Sequence, residues 1–477
     1  MTSGLEIQDI AALQTAAEGH GEAAVAFGVT LLFTFLLAGL IACLALEEKI
    51  HAKKSVIVGV FALVCLFLGE WFRILPLGPV IVGGHELDLP VYIPAIDWNV
   101  VAIILGSSLF VDVTSKSGLF TWVAVRLTKT SRGDPLILLV YYGLMTVVFS
   151  AVLNNVTAMI IVGSLSGVSL KKLGRMNLLL GFLLIEGMLT NIGGLLTLIS
   201  SVPNIIIGTT AGISFVTFFL KASPYVVVAT ALTIWVGARV FKIPRLVTTE
   251  EREEAARLVA SFDENDGIES KTFFWISAAM LLLFIATIAT TSTLPYIQDL
   301  GMGYVAMGFG ILMLIRYKAV ADKFYQAIDW DLLGFFAGLF VVINVMEHAL
   351  VLEMIGGGLA HIIALGDTVG VGLVLVTSAV ASSVTDNIPL AAMLAKILAV
   401  TPGVGGNPDS PFWWSVVFGA NLGGNLTPIG SASTLVAVTI IHKYDLPLSF
   451  MGFVKKAAPF AAFQVALAVA YVLLFLR

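Results

Sequence analysis

Two apolar stretches of this chain, one in each half, are broken by the same small polar residues in the same order. Asn154-Asn155, Asn191, Gly193-Gly194 and Thr197 in the first correspond to Asp386-Asn387, Asn421, Gly423-Gly424 and Thr427 in the second. The numbering offset is 232 at the first pair and 230 at the others, and Ile96-Asp97-Trp98 recurs as Ile328-Asp329-Trp330 at 232. The duplicated unit therefore covers roughly 96–215 and 328–445. Polar, glycine-rich breaks at matching places in two hydrophobic halves point to a transporter site near the bilayer midplane.

The apolar background makes this a membrane pattern. Hydrophobic residues are 58% of the 477 and charged residues 12%, half of what a soluble domain carries. Many apolar runs reach the ~20 residues that a spanning helix needs. The expected class is an all-α polytopic membrane protein with two inverted repeats, each holding a re-entrant hairpin and a broken transmembrane helix. The net charge of −5 is spread over loops and leaves no nucleic-acid footprint. Cys43 and Cys65 lie in apolar helices without metal-ligand spacing and read as buried thiols. The opening segment, 1–20, lacks a basic n-region and a cleavage pattern, so no signal peptide is expected.

Loop charge assigns the sides, because Lys and Arg near helix ends stay cytoplasmic. Clusters at Lys49, Lys53 and Lys54, at Arg126 to Arg132, at Lys171 to Arg175, at Arg239 to Arg245 and at Arg316 to Lys323 are inside. The loops 76–96, 294–303, 351–368 and 401–411 lack both residue types and are outside. Hairpin 135–169, flanked by basic clusters, should enter from the cytoplasm, and hairpin 369–400 from outside. Lys396 strains that assignment and is expected to snorkel. The acid-rich run Thr248 to Glu269 reads as a cytoplasmic linker. The expected layout is scaffold helices in 1–95, a first repeat in 96–241, a linker in 242–271, scaffold helices in 272–327, a second repeat in 328–445 and a final helix in 446–477. The broken helices fall at 176–220 and 412–441. Unwound backbone at membrane depth survives only where protein buries it or it lines a cavity, so both breaks should face a site.

The run Ser150 to Thr157, followed by Thr190-Asn191-Ile192-Gly193-Gly194 and Pro203-Asn204, resembles the arsenical-pump/P-protein permeases of the ion transporter superfamily. Ser382-Ser383, Asp386-Asn387-Ile388-Pro389 and Gly419 to Gly430 resemble that family's second hairpin and broken helix. D-type sodium/proton antiporters and sodium-coupled dicarboxylate and citrate carriers belong to the same superfamily. The resemblance implies an elevator-type secondary transporter, commonly a homodimer. It carries the ion- or substrate-binding role onto Asn154, Asn155, Thr157, Asn191, Thr197, Asp386, Asn387, Asn421 and Thr427, with Gly193 and Gly423 at the breaks. This chain has Asn154 where many members carry Asp, and Ser200 to Asn204 where Gly-Asp-Pro-Pro-Asn is usual.

Intramembrane acids are costly and functional by default. Asp386, Glu186 and Asp112 are the proton-coupling candidates, ahead of Glu347-His348; Glu70 reads as an interfacial anchor and Trp413-Trp414 as an interfacial belt. The functional expectation is sodium/proton antiport or other cation-coupled transport, with sodium at the hairpin tips. The alternative is sodium- or proton-coupled carriage of a small anion such as a dicarboxylate, citrate or arsenite. A channel would need a filter-like motif. An enzyme would need a nucleophile, base or metal cluster that the sequence does not display. No cofactor is expected beyond bound sodium, and the partners are the lipid bilayer and a small ion, in a bacterial inner membrane.

Overall fold

The computed structural model describes residues 25–82, 85–385 and 387–476, so Asp386 lies outside the described residues. Two long helices, α1 (Phe27–Ala45) and α2 (Lys54–Trp71), precede the first repeat. That repeat runs α3 (Trp98–Ser115), α4 (Leu119–Thr130), α5 (Pro135–Val152), α6 (Asn155–Lys172), α7 (Leu179–Gly193), α8 (Val202–Ala211) and α9 (Phe215–Val240). A linker carrying α10 (Thr249–Ala260) leads to α11 (Lys271–Ala289) and α12 (Ile297–Leu314). The second repeat runs α13 (Trp330–His348), α14 (Val351–Ile363), α15 (Gly366–Val384), α16 (Asn387–Val400), α17 (Pro411–Gly423), α18 (Ala432–Lys443) and α19 (Phe450–Phe475). Element by element, the second copy follows the order of the first. Eleven helices among the described residues are long and apolar enough to span a bilayer. The one departure from helix among the described residues is a short antiparallel pair, β1 (Val80–Val82) with β2 (His85–Leu87).

Each repeat borrows a helix from outside itself. The first helix of repeat one, α3, packs along α12, and the first helix of repeat two, α13, packs along α2. Glycines make both crossings close. A Cβ on Gly106 of α3 would stand 2.3 Å from the Met307 backbone nitrogen, and one on Gly338 of α13 would meet Val58 at 2.9 Å. Gly106 and Gly338 are themselves equivalent positions of the two repeats. Polar caps repeat the symmetry. Asn99 Oδ1 accepts from the Gly303 amide at 3.0 Å, and Asp331 Oδ1, at the equivalent position of the second repeat, accepts from the Ser55 amide at 3.1 Å. The Asp-Trp motif is a helix start. Asp97 and Asp329 cap α3 and α13, and Trp98 and Trp330 donate their ring N–H to the carbonyls of Ile93 and Tyr325.

The inversion is visible along α9. Its N-terminal end carries Lys221, paired at 2.7 Å with Asp409 beside the base of the second hairpin. Beyond its C-terminal end, Phe241 packs on Gly181, and the Leu246 amide donates at 3.0 Å to Asp134, the cap of the first hairpin. The two hairpin bases therefore sit at opposite ends of one spanning helix. Helices α9 and α19 pack against each other in opposite directions, with Tyr471 near Lys221 and Phe460 near Phe241.

One reading from the sequence changes. Trp413 and Trp414 are core residues, 1% and 0% exposed, because α17 is enclosed on all sides rather than lying at an interface. Trp414 packs its ring on Phe218 of α9. Lys396 is exposed and pairs with Glu347 of α13 at 3.1 Å. Cys43 and Cys65 are free thiols, Cys65 fully buried.

Candidate functional site

Each hairpin is a pair of helices turned at a polar tip. In the first, Leu153 leaves helical geometry and Asn154 caps α6, its Oδ1 accepting from the Thr157 amide at 2.7 Å. Asn155 turns its side chain toward the break of α7 and accepts from Ser150 Oγ at 2.6 Å. Gly194 makes room for it, since a Cβ there would stand 2.8 Å from the amide.

The breaks between α7 and α8, and between α17 and α18, follow from sequence. Pro203 and Pro428 lack the N–H that a continuing helix needs. The carbonyls freed by unwinding must find donors in the absence of water. They find them inside the protein. Asn204 Nδ2 donates to the carbonyls of Gly194 and Thr197 at 2.6 and 2.9 Å. The Thr434 hydroxyl, at the equivalent place in the second repeat, faces the carbonyls of Gly424 and Thr427 at 3.4 and 3.5 Å.

Further hydroxyls clamp each hairpin to its broken helix in the same way twice. Ser150 donates to the Thr190 carbonyl and Ser382 to the Ala420 carbonyl, both at 2.6 Å. Thr197 donates to the Ala151 carbonyl at 2.6 Å and Thr427 to the Ser383 carbonyl at 2.5 Å. Gly193 and Gly423 permit these crossings: a Cβ would lie 2.7 Å from the Val147 oxygen in one and 2.2 Å from the Ala379 oxygen in the other.

The two breaks are then tied to each other. Asn191 Nδ2 donates to Asn425 Oδ1 at 2.8 Å and to Ser431 Oγ at 3.0 Å. Reciprocally, Ser201 Oγ donates to Asn421 Oδ1 at 2.7 Å, and Asn421 Nδ2 donates to Asn204 Oδ1 at 2.8 Å. Second halves cross over as well, with α8 packing on α16 and α18 on α6.

This crossing borders a half-open cavity of about 300 Å³. One wall is Ser108, Val111 and Asp112 of α3 with Asp329 and Leu332 at the start of α13; the other is the hairpin tips and the re-entry points of the broken helices. Asn154, Asn155, Thr157, Asn191, Asn387 and Asp112 line it. Gly193, Thr197, Asn421, Gly423 and Thr427 do not: they hold the breaks in shape around it. Glu186 is fully buried away from the cavity. Glu347 and His348 also lie elsewhere, His348 lining a separate outer cavity with Asn344. Serines missed by sequence reasoning join the lining, namely Ser200, Ser201, Ser431 and Ser433. Their signal was the equivalence of Ser201 and Ser431 in the two repeats.

Four helices start at the cavity wall: α6 at Asn155, α8 at Val202, α16 at Asn387 and α18 at Ala432. Each N-terminus acts as roughly half a positive charge with amide donors at its mouth. No Lys or Arg is among the described lining residues, and no cluster of three metal-ligating side chains occurs among the described residues.

A family of known transporters matches residues 41–416, under the description "citrate transporter". The chain belongs to the citrate transporter family. Its relatives include a protein of Mycobacterium tuberculosis named uncharacterized transporter Rv2684, 31% identical over 79% of this chain and 86% of the relative. The 46 kDa membrane protein of Mycobacterium leprae is similar at 31% identity over the same shares. The human P protein is 25% identical over 90% of this chain, which spans 60% of that longer protein. Among solved structures, the YdaH transporter of Alcanivorax borkumensis shares the fold at a TM-score of 0.59 and 14% identity, covering 89% of this chain and 98% of its own. MtrF of Neisseria gonorrhoeae does so at 0.55 and 12%, over 89% and 95%. This member of the citrate transporter family is a multi-pass inner-membrane secondary transporter, not an enzyme.

Proposed function

We propose that the chain couples movement of a small polycarboxylate, citrate or a dicarboxylate, to sodium or protons. The observation behind this is the convergence of four helix N-termini on a cavity whose hairpin side is lined by amides and hydroxyls, without a basic side chain among the described residues, and whose opposite wall carries Asp112 and Asp329. Together the four termini supply roughly two positive charges in partial form, a fit to a multiply charged anion. Asn154, Asn155, Thr157, Asn191 and Asn387 supply the directional hydrogen bonds. The coupling cation is assigned to oxygens at the same tips, with Asp112 on the facing wall and, from sequence, Asp386 beside Asn387. The wall formed by α3 and α13 belongs with α1, α2, α11 and α12, while the tips and broken helices form a second body. Sliding of that body against the wall, elevator fashion and within a homodimer, would expose the cavity to alternate sides.

The test uses purified protein in liposomes. Inward sodium or proton gradients should drive uptake of radiolabelled citrate or succinate, and collapsing the gradient should stop it. A second reading, sodium/proton antiport, is favoured by Asp112 facing a lining of neutral ligands. It would show as sodium-driven pH change that neither acid alters, and that result would overturn the polycarboxylate assignment.

A further inference from the structure

The Glu186 carboxyl in α7 is fully buried and takes one hydrogen bond, from Ser166 Oγ of α6 to Oε1 at 2.5 Å. Its Oε2 has no partner among the described residues. Isolated ionised carboxylates are strongly disfavoured in such a place, so the group holds a proton. One turn along α6 from Ser166, on the same face, Ser169 begins a separate chain of hydroxyls. The Tyr142 hydroxyl of α5 bonds Ser169 Oγ at 2.7 Å and Thr128 Oγ1 of α4 at 2.6 Å. Thr128 adjoins Lys129, which is ion-paired to Glu264 of the cytoplasmic linker.

Internal symmetry provides a control. The positions matching Glu186, Ser166 and Tyr142 in the second repeat are Val416, Leu398 and Val374, all buried hydrocarbon. The same arrangement of helices thus forms without the polar cluster, and a requirement of the fold does not account for it.

We propose that Glu186 is a resident proton-binding site, separate from the cargo cavity, that exchanges its proton with the cytoplasmic side by way of Ser166 and, once the Ser166 hydroxyl turns toward Ser169 and the Thr128 hydroxyl leaves the Ala124 carbonyl, the Ser169–Tyr142–Thr128 chain. Each hydroxyl accepts one proton and passes one on, so the relay is left unchanged and the carboxylate forms only while the first hairpin shifts against α7. Of the titratable groups on helices packed against α7, α5 contributes Tyr141 and Tyr142, the latter bonded to Ser169 and Thr128. Lys171, Lys172, Arg239, His442 and Lys443 are exposed at helix ends. Tyr225 donates to the Gln464 carbonyl, Lys221 pairs with Asp409, and α17 contributes no titratable group. The inference rests on the reading as a transporter for its place in a cycle, but its first test needs no cargo.

Infrared spectra of the protein in liposomes should show a protonated carboxylic acid band at neutral pH that Glu186→Gln removes. Ser166→Ala, which keeps the carboxyl and deletes its hydrogen bond, should move that band to higher frequency. Absence of the band from the unaltered protein, its persistence in Glu186→Gln, or an unmoved band in Ser166→Ala would each overturn the assignment. For coupling, a single controlling proton changes a rate by up to tenfold per pH unit. Gradient-driven citrate uptake, or sodium-driven pH change if citrate is not carried, should lose that dependence in Glu186→Gln and slow severalfold in Tyr142→Phe. An unchanged pH profile in Glu186→Gln would overturn the coupling role, whichever cargo proves correct.

Discussion

The two repeats agree at the side chains that hold the unwound backbone and differ at Glu186 and at Asp386. Ser150 and Ser382, Thr197 and Thr427, Asn204 and Thr434, and Asn191 and Asn421 occupy matching places and bond to matching or reciprocal groups. These are the residues that make an unwound helix tolerable inside a membrane. By contrast, the first repeat buries Glu186 where the second has Val416, and Asn154 stands at the tip where the second repeat has Asp386. Both halves keep the frame, including the Asp97 and Asp329 caps, while Glu186 and Asp386 each occur in one half alone.

The symmetry of the frame breaks most sharply at its glycines. A Cβ on Gly423 would come within 2.2 Å of a backbone oxygen, against 2.7 Å at Gly193. Overpacking costs about 1–3 kcal/mol and more where backbone must move. Gly423→Ala should therefore lower the thermal unfolding midpoint in detergent further than Gly193→Ala does, and equal shifts would mean that both crossings relax alike.

Transport should test the tips next. Asn155 and Asn387 both line the cavity, so change of either to Ala should raise the apparent KM for the transported species about tenfold, worth about 1.4 kcal/mol, with the protein still folded. Wild-type kinetics in both variants would put the cargo elsewhere. Asp386→Asn makes the second tip chemically like the first, and it should weaken cation dependence at the same assay; full sodium and pH dependence would leave coupling to Asp112 or Glu186.

The clamps should give smaller, matched effects. Removing one buried hydroxyl costs about 1 kcal/mol, so Thr197→Val and Thr427→Val should destabilise equally in chemical denaturation. A difference of more than about 1 kcal/mol would show that one repeat carries the load.

Smallest of all is the linker. Lys129 and Arg126 hold the Glu264 carboxyl below its ordinary value of 4.5. A depressed carboxyl stabilises above its unfolded pKa and loses that contribution as pH falls through the folded value. Docking of the linker, followed by protease cleavage within 242–271, should thus hold at pH 5 and above and loosen below about 4.5. Glu264→Gln should remove the pH dependence.

The hairpins, the breaks and the inversion were legible because each leaves a one-dimensional mark: a doublet of Asn at a tip, Gly and Pro in an apolar run, Lys and Arg in alternate loops. Element ends were less so. The second hairpin begins at Gly366, ahead of its apolar core, and the first broken helix closes at Ala211 before α9 starts as a separate span. Trp413 and Trp414 illustrate the limit, since nothing in composition distinguishes an aromatic facing lipid from one enclosed by other helices.

Sequence by itself determined the membrane class, the duplication and which residues mark the two breaks, because these depend on local hydropathy and on a repeat that can be counted. Tertiary structure alone decided what each marked residue does. Asn154, Asn155 and Asn387 reach the cavity, while Thr197, Asn421 and Thr427 turn inward to satisfy backbone. A polar side chain in an unwound segment has two uses, to bind a ligand or to replace missing water, and only the crossing of the two repeats fixes which carbonyls and amides lie within its reach of about 3 Å.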